Sequence, residues 1–187
     1  MELVLASQSP RRKELMGFFN RPFTVRVADI DETMDPGEDP RREVARVSRR
    51  KAEAVQRQPG EVVIAADTIV VCDGMVLGKP HSEEEAVQML CMLSGRTHEV
   101  MTGLTVLGDG ICKCGTEVTE VVFRDLDPQE IYDYVQTGEP MDKAGSYGIQ
   151  GGAALFVEAV MGDYYNVVGL PVCRLGQILR MMEEEFE

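Results

Sequence analysis

Apolar and polar positions along this chain switch between a period of two and a period near 3.6, and each switch marks an element. The run Leu3-Val4-Leu5-Ala6 predicts a strand over residues 2–6, and Ser9-Pro10 then reads as an N-cap with a first-turn proline opening a helix to about Phe19. Phe23 to Ala28 alternates as a second strand. An acidic loop over residues 29–39 closes on Asp39-Pro40, which starts a helix reaching about Gln58. Val62 to Ala66 reads as a buried strand, and Asp73-Gly74 predicts a hairpin between Ile69–Cys72 and Met75–Leu77. Ser82-x-x-Glu85 has the form of a capping box for a helix to about Leu93. His98 to Leu107 and Ile111 to Phe123 are long strands joined at Gly108-Asp109-Gly110. Asp127-Pro128 starts a helix stopped by Gly138, a glycine-rich segment follows, then a strand at 154–157 and a last helix from about Gly169 to Glu184. Crossovers and hairpins both occur, so the pattern predicts an α/β fold with a mixed sheet flanked by helices.

Composition narrows the class. The 187 residues suffice for one core, or for two small lobes around a cleft, and no internal repeat or long linker divides them. Apolar residues make up 44% and aromatics only 6%, as in an ordinary globular protein. Asp67 interrupts the most apolar run, Val62 to Val71, so no membrane span is expected. Glu2 and the short apolar run before Arg11 argue against a signal peptide. The five cysteines are odd in number and lack zinc spacing, which suits reduced thiols in a cytoplasmic protein.

Charge sharpens the choice of partner. A net charge of −13 argues against general nucleic-acid binding, which needs a basic footprint. Yet 12 of the 19 lysines and arginines fall within the first 57 residues. A local basic surface on an acidic chain fits a small polyanion. The four glutamates in Met181–Glu187 read as a solvated helix end.

Several residues break their local pattern. Arg11 and Arg12 occupy a first helical turn, where the dipole favours acids, so a bound phosphate or simple solvation must offset them. Asp67 ends the apolar stretch Val62-Val63-Ile64-Ala65-Ala66, placing an acid at the carboxyl end of a predicted strand. There it is suited to chemistry, or else to forming a turn. Lys51 lies seven residues after Val44 and shares its apolar helix face, so it either snorkels outward or points at phosphate. Glu32 stands in Asp29-Ile30-Asp31-Glu32, three carboxylates that could help hold Mg²⁺ or simply be solvated. Lys79 sits in the tight Gly78-Lys79-Pro80 turn as a phosphate hook or a surface residue. Gln150, in the glycine-rich segment 145–152, offers the donor and acceptor needed to read a nucleobase edge. Asp142-Lys143 could be a structural ion pair. His81 and His98 have no metal or triad spacing and read as structural or surface residues, and the methionines between 75 and 101, with Met181 and Met182, read as core filling.

Taken together, these segments resemble the Maf family of nucleoside triphosphate pyrophosphatases, formerly called septum formation proteins. LASQSPRR at 5–12, DIDE at 29–32, RRKA at 49–52, AADTIVV at 65–71 and GKP at 78–80 match in family order. SGRTHEVMTGL at 94–104, DKAGSYGIQG at 142–151 and NVVGLP at 166–171 continue that order over nearly the whole chain. The resemblance implies an inosine-triphosphatase-like fold, one domain over 1–187 with two lobes around a deep cleft. It also implies metal-dependent hydrolysis, with Mg²⁺ or Mn²⁺, of a nucleoside triphosphate to monophosphate and pyrophosphate. Asp67 matches the catalytic acid and Glu32 the other key carboxylate, both candidate metal ligands. Ser7, Arg11, Arg12, Lys51 and Lys79 match residues lining the phosphate site, with Lys51 and Lys79 counted as catalytic. Thr68 and the segment from Lys143 to Gln150 look like the branch acting on dTTP and UTP rather than 7-methyl-GTP. The partner implied is a small nucleotide, with neither nucleic acid nor membrane, and a homodimer is left open. The alternative from a different class is a nucleotide-binding regulator of cell division in which hydrolysis is incidental; two intact acids at 32 and 67 favour the enzyme.

Overall fold

A computed structural model describes residues 1–185; the last two residues of the acidic tail lie outside the described range. The strands are β1 (Glu2–Leu5), β2 (Phe23–Val25), β3 (Glu61–Cys72), β4 (Met75–Leu77), β5 (Thr97–Gly108), β6 (Ile111–Phe123) and β7 (Val157–Met161). The helices are α1 (Pro10–Met16), α2 (Pro40–Ala54), α3 (Glu83–Leu93), α4 (Pro128–Gln136), α5 (Tyr164–Val168) and α6 (Val172–Glu185). Strand order is β2-β1-β3-β5-β6-β7, with β4 paired to β3. β1 pairs in parallel with β2 and with β3, while β3–β4 and β6–β7 are antiparallel, so the sheet is mixed as expected. No helix among the described residues is long and apolar enough to cross a membrane.

The chain forms two compact units. The first comprises Met1–Asp67, Thr102–Glu117 and the segment from Gly169 onward. Its core includes Val4, Ala6, Ala52, Val55, Val63 and Ala65, with Ala28 and Leu107 packed against them. Here α2 is pressed onto β5: a Cβ on Gly103 would lie 2.6 Å from the carbonyl carbon of Val44, so only glycine allows this approach. A buried hydrogen bond of 2.8 Å between Ser48 and Thr105 locks the same contact. The helix ends at Ala54, short of the expected Gln58, because Val55 turns extended (φ −77°, ψ 126°) to enter the core. β2 likewise stops at Val25, since its partner β1 ends at Leu5 and offers no further ladder. α1 tightens into a 3₁₀ turn over Gly17–Phe19 and stops at Asn20 in the left-handed region.

The second unit comprises Thr68–Met101 and Val118–Val168. Asp73 (φ 49°) and Gly74 (φ 77°) turn the β3–β4 hairpin, as an Asp-Gly type I′ turn should. Its interior is an edge-to-face aromatic group in which Phe123 meets His98, Tyr147 and Phe156 at 4.9, 4.8 and 6.0 Å between centroids. His98 is thus structural; of the methionines, Met89, Met101 and Met182 are buried, whereas Met75 and Met181 are exposed. Ser82 caps α3 through the Glu85 N–H at 3.2 Å, and the returning Glu85 carboxylate accepts from His81 N–H rather than from the cap residue. A reciprocal capping box, unforeseen in the sequence, joins Asp127 and Glu130 at the start of α4. The strand expected at 154–157 is a 3₁₀ turn over Gly152–Leu155, and pairing begins at Val157.

Candidate active site

β3 corrects one expectation directly. It runs unbroken from Glu61 to Cys72, so Asp67 lies inside a strand and not at its carboxyl end. Asp67 is reached instead by a side chain from α2. The Lys51 Nζ donates to Asp67 Oδ1 at 2.6 Å and pairs with Glu32 Oε2 at 2.9 Å. Lys51 and Asp67 are each 14% exposed, whereas Glu32, on the loop after β2, is 57% exposed. The apolar helix face on which the sequence put Lys51 is the face buried by Val44, Val47 and Ala52, and the ammonium extends from it to two carboxylates. Lys51 does not simply snorkel to solvent.

The acidic run at 29–32 does not act as one cluster. Asp31 is bonded by Thr33 in a local turn, and the Thr33 hydroxyl, with its N–H at 2.9 Å, holds the Asp31 carboxyl below the usual range, while Glu32 turns to Lys51. Among the described residues no three acidic, imidazole or thiol side chains converge to hold a metal. Two hard oxygen donors do converge, and a cationic ammonium holds their meeting point. Such a pair suits Mg²⁺ or Mn²⁺, which takes one or two protein carboxylates together with substrate phosphates and water.

The segment after β1 supplies the basic residues. Ser7 is buried; its Oγ accepts from the Ser9 N–H at 3.2 Å and from Arg12 Nη1 at 3.2 Å. Arg12 Nε donates to the carbonyl of Gly169 at 2.7 Å, a contact to the 166–171 segment that the sequence reading assigned to no role. Ser9 caps α1 at 3.4 Å from the Arg12 N–H, with Pro10 in the first turn, as expected. Burial holds the Arg12 pKa below the usual arginine value; Asp67 pulls it back up, Arg11 lowers it, and Glu32 raises it. Arg12 therefore feels both acids and the second arginine. Ser7, Arg11, Arg12, Glu32, Lys51 and Asp67 belong to one compact unit.

The remaining candidates, Thr68, Lys79, Lys143 and Gln150, belong to the other unit. Thr68 follows Asp67 on β3 and is half-buried. Lys79 is exposed, and its turn is tied down where Gly78 C=O accepts from the Gly145 N–H at 3.0 Å. Gly145 is irreplaceable in geometry: its φ is +69°, and a Cβ would lie 2.8 Å from a Val70 methyl. Lys143 is committed internally, donating to the Glu139 carbonyl at 2.7 Å and to Asp142 at 2.8 Å, which bears out the ion pair with Asp142. Gln150 is exposed on a turn closed by Gly151 N–H to Gly148 C=O at 3.0 Å. Two side chains that the sequence reading passed over, Tyr134 and Glu139, bond to this turn; nothing in their spacing marks them.

Known proteins place the chain. Residues 2–182 match the family model described as Maf-like protein. A Geobacillus protein named dTTP/UTP pyrophosphatase is 51% identical over 174 residues, covering 92% of this chain and 94% of that protein. One of the same name from Anaeromyxobacter dehalogenans is 53% identical over 182 residues, covering 95% and 92%. Among solved structures, a HAM1 protein from Coxiella burnetii superposes with a TM-score of 0.51 at 18% identity, covering 97% of this chain and 99% of that one, a likeness of fold. With a match running through both units and through every motif that carries the candidate residues, the chain belongs to the Maf-like protein family.

Proposed function

We propose that this protein is a nucleoside triphosphate pyrophosphatase that hydrolyses dTTP and UTP to the monophosphate and pyrophosphate. The observation that carries the reading is the Lys51 ammonium held between Asp67 and Glu32, two acids that the half-buried Arg12 also feels. Relatives about half identical over nearly their full length bear that activity in their names, which supports the same reading here.

Water attacks the α-phosphorus, the bond from that phosphorus to the α–β bridging oxygen breaks, and pyrophosphate leaves with the electron pair. The barrier is set by charge on the departing pyrophosphate and by alignment of the water. Arg11, Arg12 and Ser7 bind phosphate oxygens, and Arg12 is pre-aimed by its bonds to Ser7 and Gly169. Lys79 adds a further ammonium. Lys51 holds one oxygen of Asp67, which leaves the second carboxylate oxygen to orient the water and take its proton. Asp67 and Glu32 are the residues that would hold a divalent cation. When bound, that cation neutralises phosphate charge and lowers the pKa of coordinated water. Gln150 reads the O4 and N3–H edge shared by thymine and uracil, and Thr68, small and hydroxylated, leaves space for a single ring. The reading is tested by assaying pyrophosphate release from a panel of pyrimidine and purine triphosphates with Mg²⁺ or Mn²⁺.

A further inference from the structure

Tyr134 and Glu139 lie in the same compact unit as Gln150 and take no part in the chemistry above. Glu139 Oε1 accepts from the Tyr134 hydroxyl at 2.9 Å, and Glu139 Oε2 accepts from the Gly152 N–H at 3.1 Å. The Tyr134 oxygen in turn accepts from the Gly148 N–H at 3.1 Å. Gln150 is centred between these two anchored glycines. The loop is also pressed against the carboxylate: a Cβ on Gly151 would overlap Glu139 Oε1, and one on Gly152 would lie 3.2 Å from the Tyr134 ring. Gly148 is crowded as well: a Cβ there would be 2.6 Å from Lys143 Cε and 3.3 Å from Glu139 Oε1.

The network is directional. Tyr134 spends its one proton on Glu139 and its lone pair on Gly148, so Glu139 must accept at both oxygens. Burial pushes the Tyr134 phenol above its ordinary pKa, and the neighbouring Glu139 adds to this, so the hydroxyl stays a donor.

We propose that Glu139 is a positioning residue for base selection: through Tyr134 and Gly152 it clamps both flanks of the Gln150 turn and so fixes where the Gln150 side chain is presented to the base. The proposal rests on Gln150 reading the base. A glutamine carried on a loose turn could shift to meet the cytosine edge as well as the thymine edge, so discrimination requires a rigid mount. In E139Q one of the two accepting oxygens becomes an NH2, which cannot accept from its donor, so the present bond to one flank is lost.

The test compares kcat/KM for dTTP and dCTP in wild type, E139Q, Y134F, Q150A and E139Q/Q150A, with melting temperatures. Y134F removes only the hydroxyl and keeps the ring on Phe156, so it stands in if E139Q folds poorly. E139Q and Y134F are expected to lower the dTTP-to-dCTP ratio about tenfold, mainly through a higher KM for dTTP. In the Q150A background, E139Q is expected to shift that ratio no further. A ratio that collapses in Q150A but survives E139Q and Y134F overturns the role of Glu139 alone. So do effects of E139Q and Q150A that multiply, or an equal loss for both nucleotides with a falling melting temperature. An unchanged ratio in Q150A removes the base-reading role of Gln150 and this route with it.

Discussion

Lys51 and Asp67, 16 residues apart in sequence, meet through a 2.6 Å hydrogen bond that ties the buried face of α2 to the middle of β3. Lys51 also pairs with Glu32, so one ammonium and two carboxylates meet at one point, and the proposed chemistry depends on it.

Asp67→Asn keeps the shape of the side chain and removes its charge. Pyrophosphate release from dTTP should fall ~10²-fold or more. Lys51 still pairs with Glu32, so the melting temperature should move by only a few degrees. A variant turning over dTTP at nearly the wild-type rate removes Asp67 from the mechanism. Glu32→Gln should lose activity and recover part of it at higher Mg²⁺ or Mn²⁺, and an unchanged metal dependence would confine Glu32 to orienting Lys51.

Lys51→Met retains the apolar stem and deletes the ammonium. Asp67 and Glu32 then lose the ammonium that both contact, and activity should drop by ~10²-fold. Full activity in this variant would reduce Lys51 to packing. Lys79→Ala, at an exposed turn, should raise KM for dTTP without a change in melting temperature.

Much of this was legible beforehand, for reasons that can be located. Ser9-Pro10, Asp39-Pro40, Asp73-Gly74 and Asp127-Pro128 each mark a boundary by chemistry local to two residues, and each stands where expected. Lys51 on the Val44 face was legible as an anomaly, because helical period alone exposes a charge on a buried stripe. Its partner was not legible, since a sixteen-residue contact depends on how α2 is seated by Gly103 and the Ser48–Thr105 bond. Asp67 was misplaced at a strand end because a charge in an apolar run looks like a terminus; β3 continues because Val70 and Cys72 find partners on β4. Tyr134 and Glu139 were invisible, as their meaning lies in main-chain hydrogen bonds to a loop.

His98 gives the fold a pH dependence of known sign. It is 2% exposed, and burial pushes its pKa from the usual 6.5 down to about 4. Above pH 6.5 folded and unfolded chains both carry it neutral. As pH falls toward 4 the unfolded chain takes up a proton that the folded chain refuses, so stability declines, by up to about 3 kcal/mol. Glu61, held down to about 2 mainly by its bonds to Arg26, and Glu130, held down likewise by Arg124, lose their contribution only below about pH 4.5. Urea unfolding of wild type between pH 6.5 and 5 should therefore show falling stability, and His98→Gln should flatten that slope. A flat wild-type profile would contradict the burial of His98.

Gly145→Ala should destabilise the fold by about 1–3 kcal/mol, since it forces a side chain into the left-handed region against Val70. Because Gly145 N–H holds the Lys79 turn, dTTP hydrolysis should weaken as well. Equal melting temperatures by calorimetry would show that the segment yields where the structure has it rigid.

The central claim is tested most directly by pyrophosphate release from dTTP, UTP, dCTP, CTP, 7-methyl-GTP and the purine triphosphates under one metal condition. The account predicts dTTP and UTP hydrolysed at the α–β bond with kcat/KM far above the rest. Release of inorganic phosphate instead of pyrophosphate, or a higher kcat/KM for 7-methyl-GTP, would contradict it.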